Sequence, residues 1–121
     1  MFEIGGEYSR DEIHEALGGS KQAYLPTVGG KVVAVCVKPN LNPRAPSVVL
    51  CGRGPIIAAA GAALAQQREP LPVFLKRGVN RWEYCGKLRV VASHYSGPTF
   101  ASLVADSGRE PSDVSLAVEL A

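Results

Sequence analysis

The chain has 121 residues, a formal net charge of +2, 46% hydrophobic and 20% charged residues. That length supports one core without disulfide or metal staples, and that composition excludes a disordered or fibrous chain. The longest apolar run, Pro55 to Ala65, is too short to cross a bilayer, and so small a net charge neither demands nor excludes nucleic acid.

Phe2, Ile4 and Tyr8 form a short extended lead-in. The start has no charged stretch followed by an apolar one, so no secretory leader is expected and the protein is placed in the cytoplasm. Ser9 and Glu12 have the spacing of a capping box, in which each side chain satisfies the other residue's orphan N–H. Ile13, Ala16 and Leu17 give an inward stripe, and Gly18-Gly19 ends the helix. The polar segment from Ser20 leads to Tyr24 and Leu25 and breaks at Pro26 and Gly29-Gly30. Lys31 to Val37 is β-branched and apolar and reads as a central buried strand. Lys38 to Pro46, with three prolines and two asparagines, reads as an exposed loop, and Ser47 to Cys51 as a further strand.

Pro55 fits the first position of a helix running from Ile56 to Arg68, because its missing N–H costs nothing there. Ile56, Ile57, Ala60 and Leu64 are its expected packing face. Pro70 and Pro72 end it and open a hairpin. Leu71 to Lys76 is one arm, Arg77 to Asn80 the turn, and the run from Arg81 the other arm. Trp82, Tyr84, Gly86, Leu88 and Val90 fall on one face of that run by parity. Thr99 to Ala105 gives a helical turn or two, and Asp113 to Leu120 a closing strand. Strands that outnumber helices without regular alternation predict a single α+β domain over residues 1–121. Its architecture is expected to be a small curved mixed or antiparallel sheet with two main helices packed on it.

The chemistry-bearing residues are few. His14 and His94 have no partner at metal-ligand spacing, so no metal is expected. Cys36, Cys51 and Cys85 lie apart inside predicted strands and read as inert thiols of a reducing compartment. No nucleophile signature occurs, no acid/base pair stands out, and no cofactor is implied. Gly52-Arg53-Gly54 is a strand-to-helix turn with weak anion-site character. Ser20, Lys21 and Gln22 with Tyr24 combine donors with an aromatic ring. The hairpin turn offers Arg77, Asn80 and Arg81 as phosphate contacts. Trp82 and Tyr84 read as core. Residues 68 to 89 hold six basic residues against Glu69 and Glu83.

Several short motifs, taken together, are similar to a known pattern. They are F-E-I-G-x-x-Y-x-R-x-x-I-H at Phe2 to His14, Gly18-Gly19 with Gln22 beyond it, and Gly52-Arg53-Gly54 before a helical segment. L-P-V-F at Leu71 to Phe74 and W-x-Y-x-G at Trp82 to Gly86 complete the set. The chain thereby resembles the SRA-like domains found with HNH nuclease domains in modification-dependent restriction enzymes, members of the PUA-like barrel group. The resemblance implies a curved β-barrel that binds DNA and swings a modified base into a pocket. It implies that Ser20 to Leu25 and Gly52 to Gly54 line the pocket mouth while Arg77, Asn80 and Arg81 hold backbone phosphate. The sequence departs from that pattern between Lys38 and Cys51, which hold no Asp or Glu, and at Arg53 inside the G-x-G. No HNH nuclease segment is expected beyond the barrel, so DNA cleavage by this chain is not expected.

The expected function is therefore a non-enzymatic nucleic-acid-binding module, with DNA as partner, reading a modified base in a defence or modification setting. One alternative is a protein-interaction module or homodimer on the same barrel with a degenerate pocket. Another is a small-ligand or nucleotide-binding domain, or a small enzyme, using the same cleft.

Overall fold

The hydrophobic pattern resolves into sheets separated by helices in the computed structural model, which describes residues 2–121. In chain order the elements are β1 (Glu7–Tyr8), α1 (Arg10–Leu17), β2 (Thr27–Val28), β3 (Lys31–Val32), β4 (Val35–Val37), β5 (Val48–Gly52) and α2 (Pro55–Gln66). Then follow β6 (Leu71–Gly78), β7 (Arg81–Leu88), β8 (Val90–His94), α3 (Gly97–Ser107), a 3-10 turn at Pro111–Asp113 and β9 (Val114–Leu120). The strands form a four-stranded sheet in the order β1-β7-β6-β4, a three-stranded sheet β5-β9-β8, and the small hairpin β2-β3. β4 runs parallel to β6, and every other pair is antiparallel. The class is mixed α+β, and the three sheets do not join into one closed barrel.

Alternation along the strands explains the layering. Val35 and Val37 of β4, with Leu71, Val73 and Leu75 of β6, enter the main core, where they meet Val49, Leu64, Leu116 and Val118. Ala34, Cys36 and Phe74 point the other way, toward Trp82, Tyr84 and Ile13 of α1. The three-stranded sheet buries its second face under α3, through Val48, Leu50, Val104 and Ala117. The order of layers is thus α1, four-stranded sheet, core with α2, three-stranded sheet, α3. Burial of this kind contributes about 25 cal/mol per Å² of apolar surface.

Local signals explain the element ends. Both halves of the Ser9–Glu12 capping box are made. Pro55 opens α2 at its first position. Asn80 takes φ 54° in the β6–β7 turn, a conformation that Asn tolerates better than most residues. Gly61 lets α2 approach β5, since a Cβ there would fall 2.8 Å from the Cys51 sulfur.

Five expectations change. There are three α-helices rather than two main ones, because the segment around Thr99 to Ala105 extends to Gly97–Ser107. Lys31 to Val37 is broken into β3 and β4. Between them the Val33 N–H donates to the Pro26 carbonyl. Ile56 and Ile57 lie largely outside the core, at 86% and 45% exposure, and Gly61 and Leu64 carry the buried face of α2. Ala16 of α1 is exposed, while Arg10 is buried. Finally, the register shifts between Val73 and Phe74, where Gly86 stands at φ 99°. Parity flips at that bulge, as one inserted residue must make it do. Trp82 and Tyr84 face α1, whereas Leu88 and Val90 pack on the main core.

Candidate functional site

A cavity of about 980 Å³ opens where the C-terminal end of β4 and the start of α2 diverge. Its volume lies at the upper end of the range for small-molecule sites, about 300–1,000 Å³. Arg10, the segment Ser20 to Leu25, Lys38, Asn42, Lys76, Asn80, Trp82 and Arg109 line it, with Ile56 and Ile57 of α2 among its apolar walls. Five of the lining side chains are cationic (Arg10, Lys21, Lys38, Lys76 and Arg109) and none is a carboxylate. Lys21 is matched from outside by Asp11, at 3.0 Å.

Arg10 organises this wall. One of its terminal nitrogens donates to the carbonyls of Ser20, at 2.8 Å, and Ala23, at 2.9 Å, so the guanidinium pins the polar segment. The guanidinium carbon stands 5.1 Å from the Trp82 ring centre, and the Lys76 ammonium 5.8 Å from it. Both distances are those of cation–π contacts. The Arg10 N–H donates to Oδ1 of Asn80, at 3.0 Å, which ties the hairpin turn to α1. Ser20 Oγ accepts from the N–H groups of Gln22 and Ala23 and so closes its own turn. The Tyr24 hydroxyl donates to the Ile57 carbonyl, at 2.6 Å, and joins the segment to the first turn of α2. Burial pushes the Tyr24 phenol well above its ordinary range, and the neighbouring Cys51 adds to the shift, so it remains a neutral donor. Asn42 fixes the far wall: its Oδ1 accepts from the Leu50 N–H, at 2.8 Å.

The thiols are chemically quiet. Burial pushes Cys36 and Cys51 up to about 11, and burial also raises Cys85. All three are unpaired. His94 meets Glu119 at 2.6 Å on β8 and β9, away from the cavity lining. Among the described residues no group of three or more His, Cys, Asp or Glu gathers in metal-ligand fashion. No described helix is long and apolar enough to cross a membrane.

Of the residues singled out in the sequence, Ser20, Lys21, Gln22, Tyr24, Gly52 and Asn80 meet in the cavity wall. Arg53 and Gly54 do not line it. They sit on the exposed approach to α2. Arg77 and Arg81 are not in the wall either, and each is engaged elsewhere. Arg77 Nε donates to Glu83, at 2.7 Å, and Arg81 makes a two-pronged contact to Glu7, at 2.8 and 3.1 Å. Trp82 is core, at 5% exposure, yet its ring also floors the cavity. Sequence reasoning passed over Arg10, Lys38, Lys76 and Arg109. Arg10 stands inside the Phe2 to His14 motif, and the acid-free Lys38 to Cys51 stretch holds Lys38 and Asn42. Those two signals could have pointed to the wall.

Residues 7–107 match the family described as a domain of unknown function (DUF6697), and the chain belongs to that family. No curated protein matches it in sequence. Among solved structures the fold is similar to a "Modification dependent TagI restriction endonuclease", with a TM-score of 0.59 and 14% identity. The match covers 98% of this chain and 49% of that one, so the chain spans about half the length of that protein.

Proposed function

We propose that this DUF6697 chain is a single-domain, non-enzymatic DNA reader of SRA-like, PUA-related design that takes a modified base into the cavity. The observation that carries the reading is the cavity wall, with five cations, no carboxylate and the rings of Trp82 and Tyr24. Phosphate needs cations, and a flat base needs an aromatic or apolar slot with amide groups for its edge. Gln22 and Asn80 supply the amides. The likeness of fold to a modification-dependent restriction endonuclease favours DNA as the partner. Such an activity belongs in the cytoplasm, beside the genome it inspects.

Flipping a base costs a few kcal/mol of stacking, which contacts inside the pocket must offset. A gel shift at low salt with duplexes carrying cytosine, 5-methylcytosine or 5-hydroxymethylcytosine tests the reading. The expected result is binding to all three, with one modified duplex held roughly tenfold tighter. Absence of binding to every duplex would sink it. A second reading is favoured by Ile56 and Ile57, which give the cavity an apolar lip suited to a protein segment. Self-association in size-exclusion chromatography without any duplex binding would select that one.

A further inference from the structure

Arg10 and Lys76 converge on the Trp82 ring, and Asn80 lies beside Arg10, with donors left over. An arginine carries five N–H donors. The two carbonyls of Ser20 and Ala23 use one nitrogen of Arg10, and its Nε is buried without any partner. Arg10 is 8% exposed, so water does not easily replace the missing acceptor. Lys76 has no carboxylate within ion-pair distance among the described residues. Asn80 spends its carbonyl oxygen on the Arg10 N–H, which leaves its NH₂ group facing no acceptor among the described residues. Two like charges share one indole, and an orphaned buried donor lies beside them. Nη1 of Arg10 also has no partner and is accessible, so with the half-buried Lys76 ammonium and the exposed Asn80 amide it leaves a group of donors without any counter-charge that an anion can reach.

We infer that this cluster is an interior phosphate subsite, so that the cavity takes a nucleotide together with its phosphate and not a base alone. A phosphate ester carries several oxygens and at least one negative charge. It can meet the free, accessible Nη1 of Arg10, the Lys76 ammonium and the Asn80 amide together. A carboxylate offers only two oxygens, and a neutral sugar or base leaves both cations uncompensated. The walls at Tyr24, Ile56 and Ile57 then receive the base. The inference deepens the reading above, since it names which part of the ligand enters, but it is tested without any duplex.

The experiment titrates the full chain with deoxycytidine monophosphate, deoxycytidine, inorganic phosphate and the dinucleotide d(CpC), at low salt. The readout is the emission of Trp82, the single tryptophan, with calorimetry as confirmation. The monophosphate is expected to bind at least tenfold tighter than the nucleoside, the lower end of what a charge-assisted hydrogen bond contributes. Lys76→Gln is expected to remove about tenfold from monophosphate binding, leave nucleoside binding unchanged and leave the melting curve intact. Arg10→Lys adds a second probe should it fold, since lysine keeps the charge but not the fork. Competition by d(CpC) equal to that of the monophosphate assigns the subsite to a strand phosphodiester. Preference for the monoester assigns it to a free nucleotide, and both outcomes support the subsite. Equal affinity for nucleotide and nucleoside overturns it, as does the absence of any binding or indifference to Lys76→Gln. Duplex binding without monophosphate preference would overturn the subsite and leave the DNA reading standing.

Discussion

Two basic regions of this molecule lie on either side of one hairpin, and they are built on opposite principles. At the hairpin end, Arg77 and Arg81 are exposed and matched one for one by Glu83 and Glu7. In the cavity, Arg10, Lys38, Lys76 and Arg109 stand together with no carboxylate in the wall. An exposed ion pair is held loosely and screened by salt. Of those four cavity cations only Arg10 is buried and Lys38 is exposed, so what sets the group apart is the missing counter-charge, which leaves it free for an anion. Counting charges along residues 68 to 89 points at the paired group. Asking where the counter-charge is missing points at the other.

The largest expected effect is on stability and separates the two arginines most sharply. Arg10→Ala removes two charge-assisted bonds to carbonyls and the contact with Trp82, and it leaves the Ser20 and Ala23 carbonyls unpaired. The expected cost is about 2–4 kcal/mol, or a fall in Tm of roughly 10 °C for a chain of this size. Arg81→Ala should barely move the melting curve, because its partner is exposed and neighbouring water replaces it. Equal shifts for the two variants would mean that Arg10 does not hold the polar segment, and the contrast would collapse.

The next effect is on binding. Each phosphate contact contributes about 0.9 to the slope of log K against log salt on duplex DNA. The double variant Lys38→Gln with Lys76→Gln is expected to flatten that slope by about 2 and to weaken binding by 10-fold or more at low salt. Arg77→Gln with Arg81→Gln is expected to change affinity less than about threefold, since those side chains already have partners. The reverse pattern would return phosphate binding to the hairpin end.

How much of this the sequence shows depends on range. The Ser9–Glu12 box, the proline at the start of α2 and the hairpin turn with Asn80 are local devices, and each was legible from a few neighbouring residues. The burial of Trp82 and Tyr84 also followed from alternation. The parallel pairing of β4 with β6 was not legible, because α2 and a strand of another sheet intervene between Val37 and Leu71. Nor was the Arg81–Glu7 pair, whose partners are 74 positions apart. Ile56 and Ile57 have the spacing of a packing face, but spacing does not distinguish a core wall from a cavity lip. Arg10 fails the simplest rule of all: a charged residue in the first turn of a helix reads as solvated, yet tertiary contacts bury it. Half of the site was visible because Ser20 to Tyr24 gather by chain continuity, whereas the cations that face them come from elements spread between Arg10 and Arg109.

The smallest effect concerns the Glu7–Arg81 pair and shows how firmly the hairpin end is occupied. The hydrogen bond from Arg81 holds the Glu7 carboxyl below its ordinary 4.5; burial, next in size, opposes it, and the charges of Arg81 and Arg77 add to the lowering. A carboxyl lowered in the folded state adds stability that is present above about pH 4.5. That stability is lost as pH falls through the lower folded value, because the unfolded chain takes up its proton first. Other carboxylates titrate in the same window, so the informative quantity is the difference between the parent chain and Glu7→Gln. Thermal melts between pH 6 and pH 3 should show the parent losing a small advantage over Glu7→Gln on acidification, and added salt should shrink that advantage at pH 6. The same variant frees Arg81, so duplex affinity at neutral pH and low salt should rise, by no more than about threefold. A flat difference curve together with unchanged affinity would show that Arg81 is not held by Glu7 in solution. The hairpin arginines would then be as available to phosphate as the cavity cations, and occupancy alone would no longer tell the two regions apart.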